Sequence, residues 1–297
     1  MTNFPGGVSS FGLPVLPSSV PATSGSVFFV HSVTGSNGNS GATPVKPFAT
    51  VVYALTRCTA AKGDTIICMP GHTEAVVAAG TITVSKSGVR IIGLGTGRQK
   101  PVITYTTAAA ASVDVTAASV LLQNMAFVAT GIDAVTAAIN VSAADVIIRG
   151  CELELASAAG QAVLGVLTTA AADRLWLDQN HIHGSDDAGT VAAVRIVGGD
   201  SIQVTNNVMI GAYTTTLGGI DNVTTALSNA VVNGNTIINK TAASSKAMVF
   251  VATSTLVFAN NRLGVLSGVA PVTAAAGTNG GGNYYSAAAG VAAATLL

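Results

Sequence analysis

Reactive side chains are densest in one short stretch, Trp176, Asp178, His181, His183, Asp186 and Asp187, with Arg195 not far behind. Carboxylates at this density suggest glycoside hydrolysis, which needs two of them facing one groove about 5 to 9 Å apart. Imidazoles beside Glu152 and Glu154 suggest a metal site. Spacing weakens both readings. His181 and His183 alternate about Ile182, so they point outward from a strand whose middle residue points in. Glu152 and Glu154 occupy the same positions of the preceding repeat, and stacked coils lie about 4.8 Å apart. His181 is therefore expected over Glu152 and His183 over Glu154 as paired surface charges, with Asp178 on a different face. A lyase would need clustered Lys or Arg beside calcium-binding acids, whereas Arg149, Arg174 and Arg195 sit at unlike positions of the repeat. His72 and Glu74 follow Pro70-Gly71 and read as bend or cap residues. No phosphate loop, nucleophile elbow or zinc motif occurs. The expectation is no catalytic residue, no metal, no cofactor and no enzyme.

The elements that position these residues come from a repeat. Six segments align: Ser119-Val-Leu-Leu-Gln-Asn-Met, Asp145-Val-Ile-Ile-Arg-Gly-Cys, Arg174-Leu-Trp-Leu-Asp-Gln-Asn, Ser201-Ile-Gln-Val-Thr-Asn-Asn, Asn229-Ala-Val-Val-Asn-Gly-Asn and Thr255-Leu-Val-Phe-Ala-Asn-Asn. Their first residues advance by 26, 29, 27, 28 and 26 positions. Steps of that size match one coil of a solenoid with three short strands and three bends. The second and fourth positions are apolar and line the interior. The seventh carries Asn180, Asn207, Asn235 and Asn261, which are expected to form an inward ladder of stacked amides. The fold class is thus all-β, a right-handed parallel β-helix, spanning residues 27–265 with its coils clearest from Asp64 onward. Phe48, Val51, Val52 and Leu55 recur at helical spacing and predict a capping α-helix at about 47–61, with Gly63 ending it.

Residues 1–26 are rich in Pro, Gly and Ser and read as an extended N-terminal arm whose Phe4, Phe11, Leu13, Val15 and Leu16 bury against a partner. Residues 266–297 form an Ala- and Gly-rich C-terminal segment with no assigned element. Thirteen basic and thirteen acidic residues cancel, which argues against nucleic acid or a membrane surface as partner. Cys58, Cys68 and Cys151 have neither metal-ligand spacing nor an even count and read as buried thiols. The N-terminus lacks the pattern of a secretory signal and no run of eighteen apolar residues occurs, so synthesis and assembly in a host cytoplasm are expected.

The run from Phe28-Phe-Val-His through Lys46-Pro-Phe-Ala-Thr to Lys62-Gly-Asp-Thr-Ile-Ile-Cys-Met-Pro-Gly resembles the opening of right-handed β-helix proteins of the pectate-lyase-like superfold. The leader Asn3-Phe-Pro-Gly-Gly-Val-Ser-Ser-Phe-Gly-Leu-Pro-Val resembles the start of β-helix virion proteins of tailed bacteriophages. Members of the superfold often carry acids in the loop matching Ser36-Asn-Gly-Asn-Ser-Gly, and this sequence has none. The Asp, His and Arg195-Ile196 residues are similar to elements of polygalacturonase-like enzymes, but His181-Ile-His183-Gly184 here precedes Asp186-Asp187 within a single coil.

Outward positions carry Val208, Ile210 and Ile238 in one column and Leu121, Ile147, Trp176, Val231 and Val257 in another. Two apolar columns on a chain with 9% charged residues predict a self-association face along the solenoid axis. The resemblance implies a trimer. The function expected is that of a phage virion structural protein, a homotrimeric capsid decoration or cement protein bound through its arm to the major capsid protein or another virion protein. The alternative is a tailspike or fibre subunit that binds or cleaves host polysaccharide; an exposed groove lined with aromatics and acids would mark it, and only Trp176 hints at one.

Overall fold

A computed structural model of the chain describes residues 9–10, 13–14, 24–157, 160–186, 189–214, 217–222, 224–241, 245–266, 271–273, 278–287 and 295–296. It is an all-β parallel solenoid of about seven turns, right-handed, with very little helix. Among the described residues three sheets run along its length, two of ten strands and one of eight, parallel throughout except for the final strand of one. From Thr65–Cys68 to Val272–Thr273 each coil contributes a strand to the first sheet, turns sharply into the second, and reaches the third through a longer bend. Coil 119–141 shows the pattern with Leu121–Gln123, Ala126–Ala129 and Ile139–Val141.

Backbone geometry explains the composition of the sharp bend. The sixth position of every repeat, Asn124, Gly150, Gln179, Asn206, Gly234 and Asn260, has φ between 54° and 69°. That left-handed region is cheap for Gly and tolerable for Asn. The first position, at Ser119, Asp145, Arg174, Ser201 and Asn229, is left-handed as well. Inter-coil bonding continues through the bends: the Gln179 N–H donates to the Thr205 carbonyl at 3.1 Å and the Asn206 N–H to Asn233 at 3.0 Å. Inward Leu122, Ile148, Leu177, Val204, Val232 and Phe258 then stack in register as one core.

The coils begin at Val27–Val30, within the expected range 27–265, and this strand pairs in parallel with Thr65–Cys68. Two expectations are corrected. The helix spans Val51–Arg57 instead of 47–61. Phe48 precedes it as a bridge partner of Val30, and Gly41, at φ 68°, lies so close that a Cβ there would meet the Phe48 ring at 2.3 Å. Thr50 caps the helix by accepting from the Tyr53 N–H at 3.1 Å, and Glu74 accepts from Val51 N–H at 2.6 Å and Val52 N–H at 3.3 Å. Finally, the segment after 265 is no featureless tail. Val272–Thr273, Thr278–Asn279 and Tyr284–Ala287 extend the three sheets in parallel, and Thr295–Leu296 pairs antiparallel with the last of these.

Candidate functional site

The interior bend holds the asparagine ladder. Asn180, Asn207 and Asn235 each donate through Nδ2 to the Oδ1 of the next rung at 3.0 Å, and Asn261 donates to Asn283 at 2.9 Å. The same Oδ1 atoms accept backbone N–H groups of the coil before, as in Cys151 to Asn180 and Asn180 to Asn207. Asn283 is a fifth rung, 22 positions after Asn261, which the sequence reading did not assign. Every rung is buried, so these amides hold the scaffold and are closed to a ligand.

The stretch that suggested chemistry is divided among separate faces. Asp178, 2% exposed, lies on the first sheet, where Arg149 Nε donates to Oδ2 at 2.9 Å while Thr205 Oγ1 and Asn206 Nδ2 donate to Oδ1 at 2.9 and 3.0 Å. Trp176 Nε1 donates to Thr205 Oγ1 at 2.8 Å, and the Arg149 guanidinium sits 4.3 Å above its ring. His181 and His183 lie on the second sheet, opposite Glu152 and Glu154 in register. His183 Nδ1 is 3.7 Å from Glu154, whereas Glu152 pairs with Lys100 at 3.4 Å rather than with His181. Asp186 pairs with Lys240, which holds its carboxyl below the usual range, and Asp187 lies outside the described residues. Arg195 stands on the third sheet. Among the described residues no group of three or more His, Cys, Asp or Glu side chains converges as a metal site. His72 Nε2 meets Glu74 at 3.2 Å in the helix cap.

A polar row on the outer face of the third sheet escaped the sequence reading. Asp114, Asn140, Leu167, Arg195 and Asp221 are register partners on successive coils. Arg195 Nε donates to Asp221 at 2.6 Å, and burial pushes the Asp221 carboxyl up against the opposing effect of that arginine. Asn140 Nδ2 donates to Asp114 at 3.0 Å, while the buried Oδ1 of Asn140 has no hydrogen-bond partner among the described residues. An open groove of about 480 Å³ runs over Asp114, Asn140, Ser142, Leu167 and Thr169. The signal was available, because these outward positions advance by 26, 27, 28 and 26; the apolar Leu167 interrupts the polar run and hid it.

The outward apolar columns are present at the surface. Ile210 stacks on Ile238, and Ile238, Val231 and Val257 are exposed, while Val208, Ile147 and Trp176 are half-buried. Of the arm residues, Phe4, Phe11, Val15, Leu16 and the side chain of Leu13 lie outside the described residues. A short antiparallel pair joins Ser9–Ser10 to Leu13–Pro14. No described helix is long and apolar enough to cross a membrane.

No protein-family profile and no curated protein matches the chain. Solved structures similar to it include a rhamnogalacturonan lyase at 12% identity, covering 81% of this chain and 74% of that one with a TM-score of 0.49. The pectate lyase Pel9A is 14% identical over 87% of this chain and 80% of its own, with a TM-score of 0.42. ORF18 of Geobacillus virus E2 is 15% identical over 80% of this chain and 57% of its own, with a TM-score of 0.38. At these identities the likeness concerns fold alone, and the strand ladders establish the fold independently. The expectation that the chain is no enzyme is corrected by this set: the architecture is shared with polysaccharide-active enzymes as well as a phage protein, so enzymatic activity is compatible with it.

Proposed function

We propose that the chain is a structural protein of a bacteriophage virion, a homotrimeric decoration or cement subunit of the capsid held by residues 1–26. The supporting observation is the stacking of outward branched side chains in register on neighbouring coils, Ile210 on Ile238 and Val231 on Val257. Val257 and Ile238 are 43% and 37% exposed on a surface with few charges to keep copies apart. Burying such a stripe along the axis favours association of parallel copies. Imaging of virions should place the chain on the capsid, and sedimentation should give a trimer that Ile210→Asp with Ile238→Asp dissociates, since unpaired charge in the contact costs several kcal/mol. A wild-type monomer, a double variant that still trimerises, or density at the tail tip would refute this reading; the last result favours a fibre subunit. A chain starting at Ser26 should remain folded and trimeric yet fail to join the particle.

A further inference from the structure

Zero net charge conceals a segregation along the solenoid. Seven of the thirteen cations, against two acids, fall between residues 46 and 100, the capping helix and the coils next to it. Both acids are engaged inside the structure. Asp64, 1% exposed, accepts the Ser26 N–H at 2.6 Å and the Thr59 N–H at 2.6 Å, and Glu74 caps the helix and contacts His72. Lys46, Arg57, Lys62 and Arg98 are exposed, Lys86 is half-buried, and none of the five has an ion pair among the described residues.

Three of these cations lie on adjoining segments. Arg57 ends the helix, and the loop that follows it and carries Lys62 is tied to the next coil by the Ala61 N–H donating to the Ser87 carbonyl at 2.9 Å, beside Lys86. Lys86 and the hydroxyls of Thr56, Thr81, Thr83 and Ser85 line an open groove of about 460 Å³ along the helix. The ordinary role of Arg57, offsetting the negative end of a helix dipole, accounts for one charge and leaves the others. Apolar exposure accompanies them: Val33, Val45, Val52 and Val77 are 80%, 75%, 37% and 45% exposed at the same end. The chain also enters the solenoid here, where Ser24 Oγ donates to the Lys62 carbonyl at 3.2 Å and Thr65 N–H to the Ser26 carbonyl at 2.8 Å.

We infer that the N-terminal end of the solenoid is a docking surface for an acidic protein face. Unpaired cations supply the complement to acidic side chains. The exposed valines gain by burial against a protein partner and would face charge against a phosphate backbone, so a protein fits better than a nucleic acid. This deepens the virion reading by orienting the subunit, cap end inward and last coil outward, with arm and cap engaging one partner.

The test uses the full-length protein and immobilised poly-L-glutamate as the acidic probe, with a 30-base-pair DNA duplex in parallel. Wild type should bind polyglutamate at low ionic strength and release as salt shortens the screening length below about 10 Å. Arg57→Glu with Lys62→Glu should weaken binding about tenfold or more, as should the milder Arg57→Gln with Lys86→Gln to a smaller degree, while Lys240→Glu with Arg262→Glu at the far end leaves it unchanged. Circular dichroism confirms that each variant folds. Equal binding by wild type and both cap-end pairs, an effect of the far-end pair as large as theirs, preference for DNA, or retention arising from self-association would overturn the inference. Failure of the virion reading is distinct: the protein is then absent from particles although the cap-end dependence on polyglutamate holds.

Discussion

Asn207→Ala isolates the contribution of one ladder rung. The Asn207 Oδ1 accepts from Asn180 N–H at 2.9 Å and from Asn180 Nδ2 at 3.0 Å; its Nδ2 donates to the carbonyls of Leu177 and Thr205, both at 2.9 Å, and to Asn235 Oδ1 at 3.0 Å. Truncation removes all five bonds. Three partners keep substitutes, since Asn180 Nδ2 still reaches the Ile148 carbonyl, Asn235 Oδ1 still accepts Asn207 N–H and the Thr205 carbonyl still accepts Gln179 N–H. The Asn180 N–H keeps none and is buried. With about 1 kcal/mol for the net bond to the Leu177 carbonyl lost without replacement and about 1 to 3 for the buried orphan, the cost is about 3 kcal/mol. Asn207→Asp is harsher at neutral pH, because its second oxygen would face three acceptors, the carbonyls of Leu177 and Thr205 and the Asn235 Oδ1. Protonation gives that oxygen one donor, so the gap between the Asp and Ala variants should close as pH falls. Urea melts followed by circular dichroism give the totals. Because a solenoid can fray from one end, hydrogen exchange at the Asn180 N–H gives the local value. An Ala variant within about 1 kcal/mol of wild type, or an Asp variant as stable as wild type at pH 7, would refute the reasoning.

Burial pushes the Cys58 thiol up to about 12 and the Cys151 thiol up to about 11, so iodoacetamide at pH 8 should label neither in the folded protein and all three cysteines in urea; rapid labelling of the native chain would contradict this. The Asp221 carboxyl is raised by burial, so its charged form costs folding stability at neutral pH, and that cost is relieved as pH falls through the raised value toward 3.8. Wild type should therefore gain on Asp221→Asn in urea midpoint between pH 7 and pH 4, and a difference independent of pH would sink the assignment.

The sequence by itself determined the periodic part of this protein. Side-chain alternation along a strand and a step of one coil are local rules, so inward Leu177 and Val204, the Asn180 to Asn261 register and the placing of His181 over Glu152 could be read from spacing alone. The tertiary structure decided what lacks that period. Val27–Val30 joins Thr65–Cys68 across a loop and the capping helix, a separation of 38 residues, so no repeat step announced the first coil. Asn283 follows Asn261 after 22 residues, shorter than every step before it, because the last coil has lost length between its strands. Partner choice lay equally beyond spacing. Glu152 bonds Lys100 from two coils before rather than the histidine stacked above it, and Glu74 caps a helix 22 residues upstream of it, because each carboxylate settles on the donor that packing brings nearest. Charge segregation became meaningful only once Asp64 and Glu74 were found occupied by backbone donors: sequence counts charges, and burial decides which of them a partner meets.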